Sequence, residues 1–147
     1  RKGLLHRAFS VMVWNKKGEV LLQQRALGKY HSPGLWSNTC CSHPKPGETV
    51  VEAATRRLKE EMGFECNLTP EICVIYRSQF DNGLIENEYD HVLNGYFDGE
   101  PDINKDEVND YKWISISNLM NDMSANHKNY TVWFRIIIDR LRNENLL

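Results

Sequence analysis

No apolar run in these 147 residues is long enough to span a bilayer, and neither an internal repeat nor a low-complexity segment divides the chain. What is left is one domain over residues 1–147, with room for a substantial core. Neither sign of charge is in excess: 18 basic and 20 acidic residues give a formal net charge of -2, so nothing draws the molecule as a whole to nucleic acid or to an anionic membrane. Cysteine is scarce. The four cysteines, at 40, 41, 66 and 73, do not make a disulfide framework, because adjacent cysteines rarely bridge, and the C-x-x-C spacing of a zinc ribbon is missing. Reduced thiols fit a cytoplasmic protein. The first residue is Arg1 rather than methionine, which reads as a chain without part of its N-terminus and with any targeting signal hidden.

What is present centres on Ser32 to Phe64. A Pro/Gly-rich loop carries Cys40, Cys41 and His43, ends at Pro44, Pro46 and Gly47, and runs into an amphipathic helix. Thr49 with Glu52 three residues on has the form of a capping box, and Gly63 supplies the stop. Val51, Ala54, Leu58 and Met62 recur at helical spacing as the expected buried stripe, and Arg57 and Glu61 share a face at i, i+4. A cysteine two residues from a histidine serves as a metal site, a nucleophile or plain core, and burial is the commonest of the three. Cys66 and Cys73 read as small buried hydrophobes.

Around this stretch the chain reads as strands and two further helices. Leu4 to Trp14 forms a strand, Asn15 to Gly18 a hairpin-like turn, and Val20 to Arg25 the partner strand. Arg25 and Lys29 bracket the next turn. After the helix come a strand over Ile72 to Ser78, a turn at Asp81-Asn82-Gly83, and a long strand in which Glu86, Glu88 and Asp90 alternate and so share one face. Taken alone, that acidic row is as easily a solvated face as a site. Asp106 and Glu107 read as a solvated acidic loop before a strand ending near Ile114. Ser117 is the expected cap of a short helix through Met123, and Val132, Ile136, Ile137 and Leu141 mark a packed helix over Thr131 to Asn143.

The end of the first helix, R-R-L-K-E-E-M-G-F, resembles the end of the Nudix box, a loop and helix that hold divalent metal against a diphosphate. Glu60 and Glu61 take the box's terminal pair, Arg56 its arginine and Glu48 its early glutamate. Ser42 stands where the box opens on glycine. Arg57 stands where a glutamate of the hydrolytic metal cluster normally follows the arginine. These departures look like those of the type I isopentenyl-diphosphate isomerases, and the likeness runs from His6 to Trp133 with its motifs in order.

That resemblance implies an α/β fold, a Nudix-like α/β/α sandwich with a mixed sheet, and an enzyme of isoprenoid biosynthesis that interconverts isopentenyl and dimethylallyl diphosphate by protonation and deprotonation. It implies catalytic roles for Cys41, Glu88, Tyr76 and Trp133, and diphosphate contacts from Arg25, Lys29 and Arg57. It implies a first metal, zinc or manganese, on His6, His43, Glu86 and Glu88, and magnesium with the substrate diphosphate and Glu61. The family's further, earlier histidine would precede Arg1. Cys40 is expected to be structural. The implied partner is a small isoprenoid diphosphate, without nucleic acid or membrane, and a monomer is favoured. The rival expectations are a Nudix diphosphohydrolase and a non-catalytic binding module stabilised by metal.

Overall fold

The computed structural model describes residues 2–29, 31–79 and 85–147; the side chains of residues 2–5, 78–79 and 85–86 lie outside the description. A nearly continuous apolar run, buried on both faces from Ala8 to Val13, gives β1 (Lys2–Trp14), which turns at Asn15 to Gly18 into β2 (Glu19–Arg25). Gly18 sits at φ 76, and its N–H donates to the Asn15 carbonyl oxygen. Two short strands follow within the stretch read from sequence as a loop, β3 (Trp36–Ser37) and β4 (Cys40–Ser42). Helix α1 (Val50–Met62) comes next, then β5 (Thr69–Gln79), β6 (Ile85–Tyr96), β7 (Val108–Ser115), α2 (Ile116–Ala125) and α3 (Val132–Asn143). The Asp81-Asn82-Gly83 turn lies outside the described residues.

The strands form one mixed sheet. Its order is β3-β2-β1-β6-β5, with β7 on β2 and β4 on β1; the β1–β6 pairing is parallel and the rest antiparallel. Period-two alternation sends residues to opposite faces. Phe9, Val11, Val13, Leu21 and Leu93 pack under α1 with Ala53, Ala54, Leu58 and Met62. Met12, Val20, Leu22, Val74 and Val92 pack under α2 and α3 with Leu119, Phe134, Ile137, Ile138 and Leu141. This is the expected α/β/α sandwich.

Several expectations are corrected at the level of single positions. Val51 is exposed, while Val50 and Ala53 pack inward, because the buried arc of α1 runs 50, 53, 54, 57, 58, 61, 62. The cap of α2 is Ser115, whose Oγ accepts from the Asn118 N–H, rather than Ser117. Val132 is exposed at the start of α3, and Phe134 and Ile138 take its place in the core. Cys66 and Cys73 are half-buried and unbridged.

One irregularity of the sheet shapes everything near it. β1 and β2 are paired only at Trp14↔Val20 and then part, and β4 takes the place beside β1 at Phe9, Ser10 and Val11. Where strands separate, backbone groups lose their partners and need replacements. Asn38 and Thr39, both fully buried, provide them: Asn38 Nδ2 donates to the Val11 carbonyl, the Val13 N–H donates to Thr39 Oγ1, and Thr39 Oγ1 donates to the Leu21 carbonyl.

Candidate active site

The parting between β1 and β2 opens into a cleft of about 510 Å³, lined by residues of β1, β2, β4, α1, β5, β6 and α3. β4 decides which cysteine faces it. Cys40 is paired with Val11 and packs into the core under α1; Cys41, one residue on, is paired with Ser10 and lines the cleft. Cys40 is thus a core residue. Burial pushes the Cys41 thiol up to about 12, with Glu61 and Asp90 adding to the shift and Arg25 opposing it. The Trp133 indole N–H, buried without a completed hydrogen bond, also favours the thiolate. The thiol is therefore protonated at neutral pH.

Of the acidic row read from the long strand, Glu88 and Asp90 are buried and do not form a solvated face. His6, Glu88 and Tyr76 are cross-strand neighbours on β1, β6 and β5, and so lie on one face of the sheet. Glu88 is 9% exposed; its Oε1 is 2.9 Å from His43 Nε2, and its buried Oε2 has no hydrogen-bond partner among the described residues. Asp90 is 1% exposed, accepts 2.9 Å from Ser10 Oγ on Oδ2 and leaves Oδ1 unpaired. Burial pushes its carboxyl up to about 7; Ser10 draws it down and the like charge of Glu88 raises it.

Buried carboxylate oxygens without partners are costly, and a bound cation is one way to satisfy them. The chemistry of the pair His43 and Glu88, an imidazole nitrogen with a carboxylate oxygen, fits a borderline divalent ion. Among the described residues, no three of His, Cys, Asp and Glu gather closely enough to hold a metal. His6 is placed on the same row but does not line the cleft. The side chain of Glu86 lies outside the described residues.

Basic groups line the same cleft. Arg25, at the end of β2, lies 5.2 Å from the Trp133 ring centroid and donates through Nε to the His31 carbonyl. His31 is half-buried and lines the cleft. Trp133 is held there because Thr131 caps α3 and its N–H donates to the Trp36 carbonyl on β3. Arg57 and Glu61 sit on the edge of the buried arc of α1 and bond at 2.5 Å. Glu61, 5% exposed, accepts from Gln23 Nε2 through its other oxygen at 2.9 Å. Burial works against the Arg57 charge, but Glu61, Glu60 and Glu107 outweigh it and hold the guanidinium firmly protonated. Arg56 forks onto Glu48 at 2.8 and 2.9 Å, which locks the loop before α1 to the helix.

The cleft thus gathers Cys41, Glu88, Tyr76, Trp133, Arg25, Lys29, Arg57, His43 and Glu61. Ser10, Gln23 and Glu107 were missed in the sequence. Ser10 and Gln23 carried a signal: each is a polar residue interrupting an apolar strand, A-F-S-V-M-V and V-L-L-Q. Glu107 carried none, since its partners lie on distant elements, and the solvated-loop reading of it is overturned by its bonds to Lys29 and Arg57.

A sandwiched mixed sheet with a capped loop-helix of carboxylates and arginines beside a cleft defines a Nudix protein. The NUDIX domain family model matches residues 4–134. The MutT protein from Methanosarcina mazei Go1 shares this fold, with a TM-score of 0.79 at 20% identity over 99% of this chain and 98% of that one. Within that class the sequence narrows further. Isopentenyl-diphosphate Delta-isomerase 2 of Photorhabdus laumondii is 52% identical over 99% of this chain and 82% of its own length. The isopentenyl-diphosphate Delta-isomerase of Pectobacterium atrosepticum is 52% identical over 95% and 78%. The chain belongs to the isopentenyl-diphosphate Delta-isomerase family.

Proposed function

We propose that this cleft interconverts isopentenyl diphosphate and dimethylallyl diphosphate by moving one double bond, with no redox change and no bond to phosphorus broken. The observation that supports it most directly is that Cys41 and Glu88, from different strands, line one cavity whose wall also carries Arg25, Lys29 and Arg57. One of the pair delivers a proton to the terminal alkene carbon, and the other removes a proton from C2. The charge that develops between these events is that of a tertiary carbocation. The π face of Trp133 stabilises such a cation by roughly 0.5–2 kcal/mol. Tyr76, beside Glu88 in the cross-strand row, orients the carboxylate. Arg25 and Arg57 bind the diphosphate through planar forks and Lys29 binds it as a point charge.

His43 and Glu88, with His6 and Glu86, would hold zinc or manganese, and Glu61 would hold magnesium with the diphosphate; cations bound there would supply positive charge to the carboxylate face and to the diphosphate oxygens of the substrate. Glu88 is buried and Cys41 and Trp133 are half-buried, so a substrate that fills the cleft excludes water from the space between them. That exclusion protects the cation from capture.

Incubating the protein with isopentenyl diphosphate and magnesium, and following the mixture by NMR, should show the dimethylallyl product and, in deuterated water, label at the exchanged positions. Cys41→Ala should lose isomerisation by three orders of magnitude or more while still binding inorganic pyrophosphate with magnesium. Release of phosphate from nucleoside diphosphates with no allylic product would overturn the reading.

A further inference from the structure

Lys29 and Arg57 line the cleft from different elements, the turn after β2 and helix α1. Both reach the same carboxylate oxygen outside the cleft lining. Lys29 Nζ is 2.5 Å and Arg57 Nη2 2.9 Å from Glu107 Oε1. We propose that Glu107 is a positioning residue for diphosphate binding, clamping the Lys29 ammonium and the Arg57 guanidinium side by side on the cleft wall. The inference rests on the proposed function in so far as these two cations take the diphosphate.

Like charges placed together repel, and flexible Lys and Arg side chains lose rotamer freedom when ordered. A shared anion behind them offsets the repulsion before the ligand arrives, so that less ordering is left for the binding step. The backbone around Glu107 has the rigidity this task needs. Its N–H donates to the Asn104 carbonyl and its own carbonyl accepts from the Ala26 N–H, three residues before Lys29. Asn104 and Asp102 in turn donate through their N–H groups to the carbonyls of Glu61 and Met62 at the end of α1. Glu107 is therefore tied by its main chain to both elements whose cations it holds by its side chain. Lys29 and Arg57 outweigh the burial of the carboxyl and keep it ionised below its ordinary range. Glu107 does not line the cleft, so it acts through the two cations rather than on the ligand.

Binding of inorganic pyrophosphate with magnesium, measured by calorimetry, tests this apart from catalysis. Glu107→Gln keeps the shape and removes the charge; its Kd should rise about tenfold, with the KM for isopentenyl diphosphate rising in proportion and kcat staying within twofold. In a Lys29→Met background the same change should cost less than threefold, because one of the two clamped groups is already gone. Glu107→Asp retains the charge but is one methylene too short to reach both cations, and should fall between; it carries the same decision should Glu107→Gln fail to fold. Parental pyrophosphate binding in the Glu107 variants, with binding lost in Lys29→Met and Arg57→Gln, would overturn the clamp and leave the diphosphate reading standing. Parental binding in Lys29→Met and Arg57→Gln as well would sink both.

Discussion

Asp90 has one oxygen on Ser10, the other on no group among the described residues, and almost no surface. Such a carboxyl is cheaper to bury neutral than charged. An unfolded Asp titrates near about 3.9, whereas this one is pushed up to about 7. Between those values the folded state binds more protons than the unfolded, so stability falls as pH rises through the window and reaches its full penalty above it. The difference corresponds to at most about 4 kcal/mol. Asp90→Asn keeps an oxygen for Ser10 and cannot ionise. In metal-free protein its urea midpoint should exceed the parent's by an increasing margin from pH 5 to pH 8; a constant margin would show that the parental carboxyl is already charged throughout. The alternation of Glu86, Glu88 and Asp90 was visible in the sequence, but the sign of their environment was not. Whether an acidic row faces water or a cleft depends on what covers the sheet, and the α3 residues that do so come some forty positions later.

Among the elements, α1 was the most legible, because its ends are set by local chemistry. Thr49 Oγ1 accepts from the Glu52 N–H at 3.1 Å and Glu52 Oε1 accepts from the Thr49 N–H at 2.9 Å, as the spacing requires. Gly63 closes the helix at φ 77, and a Cβ there would run into the Asp102 carbonyl oxygen. Gly63→Ala therefore meets both the left-handed backbone cost and a backbone clash, and should lower stability by about 3 kcal/mol in urea titration; a change under about 1 kcal/mol would mean that the 102–104 loop yields freely. The loop before α1 was less legible. Strands of two and three residues leave no periodicity to read, and β3 and β4 exist because β2 and β1 offer them unpaired edges. Charge pairs within the helix, such as Arg57 with Glu61, could be read from spacing; Arg57 with Glu107, fifty residues apart, could not.

At the scale of the molecule, the sandwich and its mixed sheet came from resemblance, while the order of strands was not read at all, since nothing in residues 2–25 says that β1 will leave β2 after one pair and run parallel to β6. Thr39 makes that departure tolerable. Replacing it with Val preserves shape and strands the Val13 N–H and the Leu21 carbonyl in the interior, an expected loss of about 2–4 kcal/mol. Thermal unfolding of Thr39→Val checks this, and a shift of less than a degree or two would mean that water replaces the hydroxyl. The cost should appear in catalysis too, because Gln23 Nε2 bonds both the Thr39 carbonyl and Glu61.

A pocket floored by two diverging strands joins the halves of the molecule through whatever fills it. A ligand held at once by Arg25 on β2 and by groups on β4 and β6 would act as a crosslink, and should slow amide hydrogen exchange at Val11, Val13 and Leu21, deep in the protein's middle, more than at its loops.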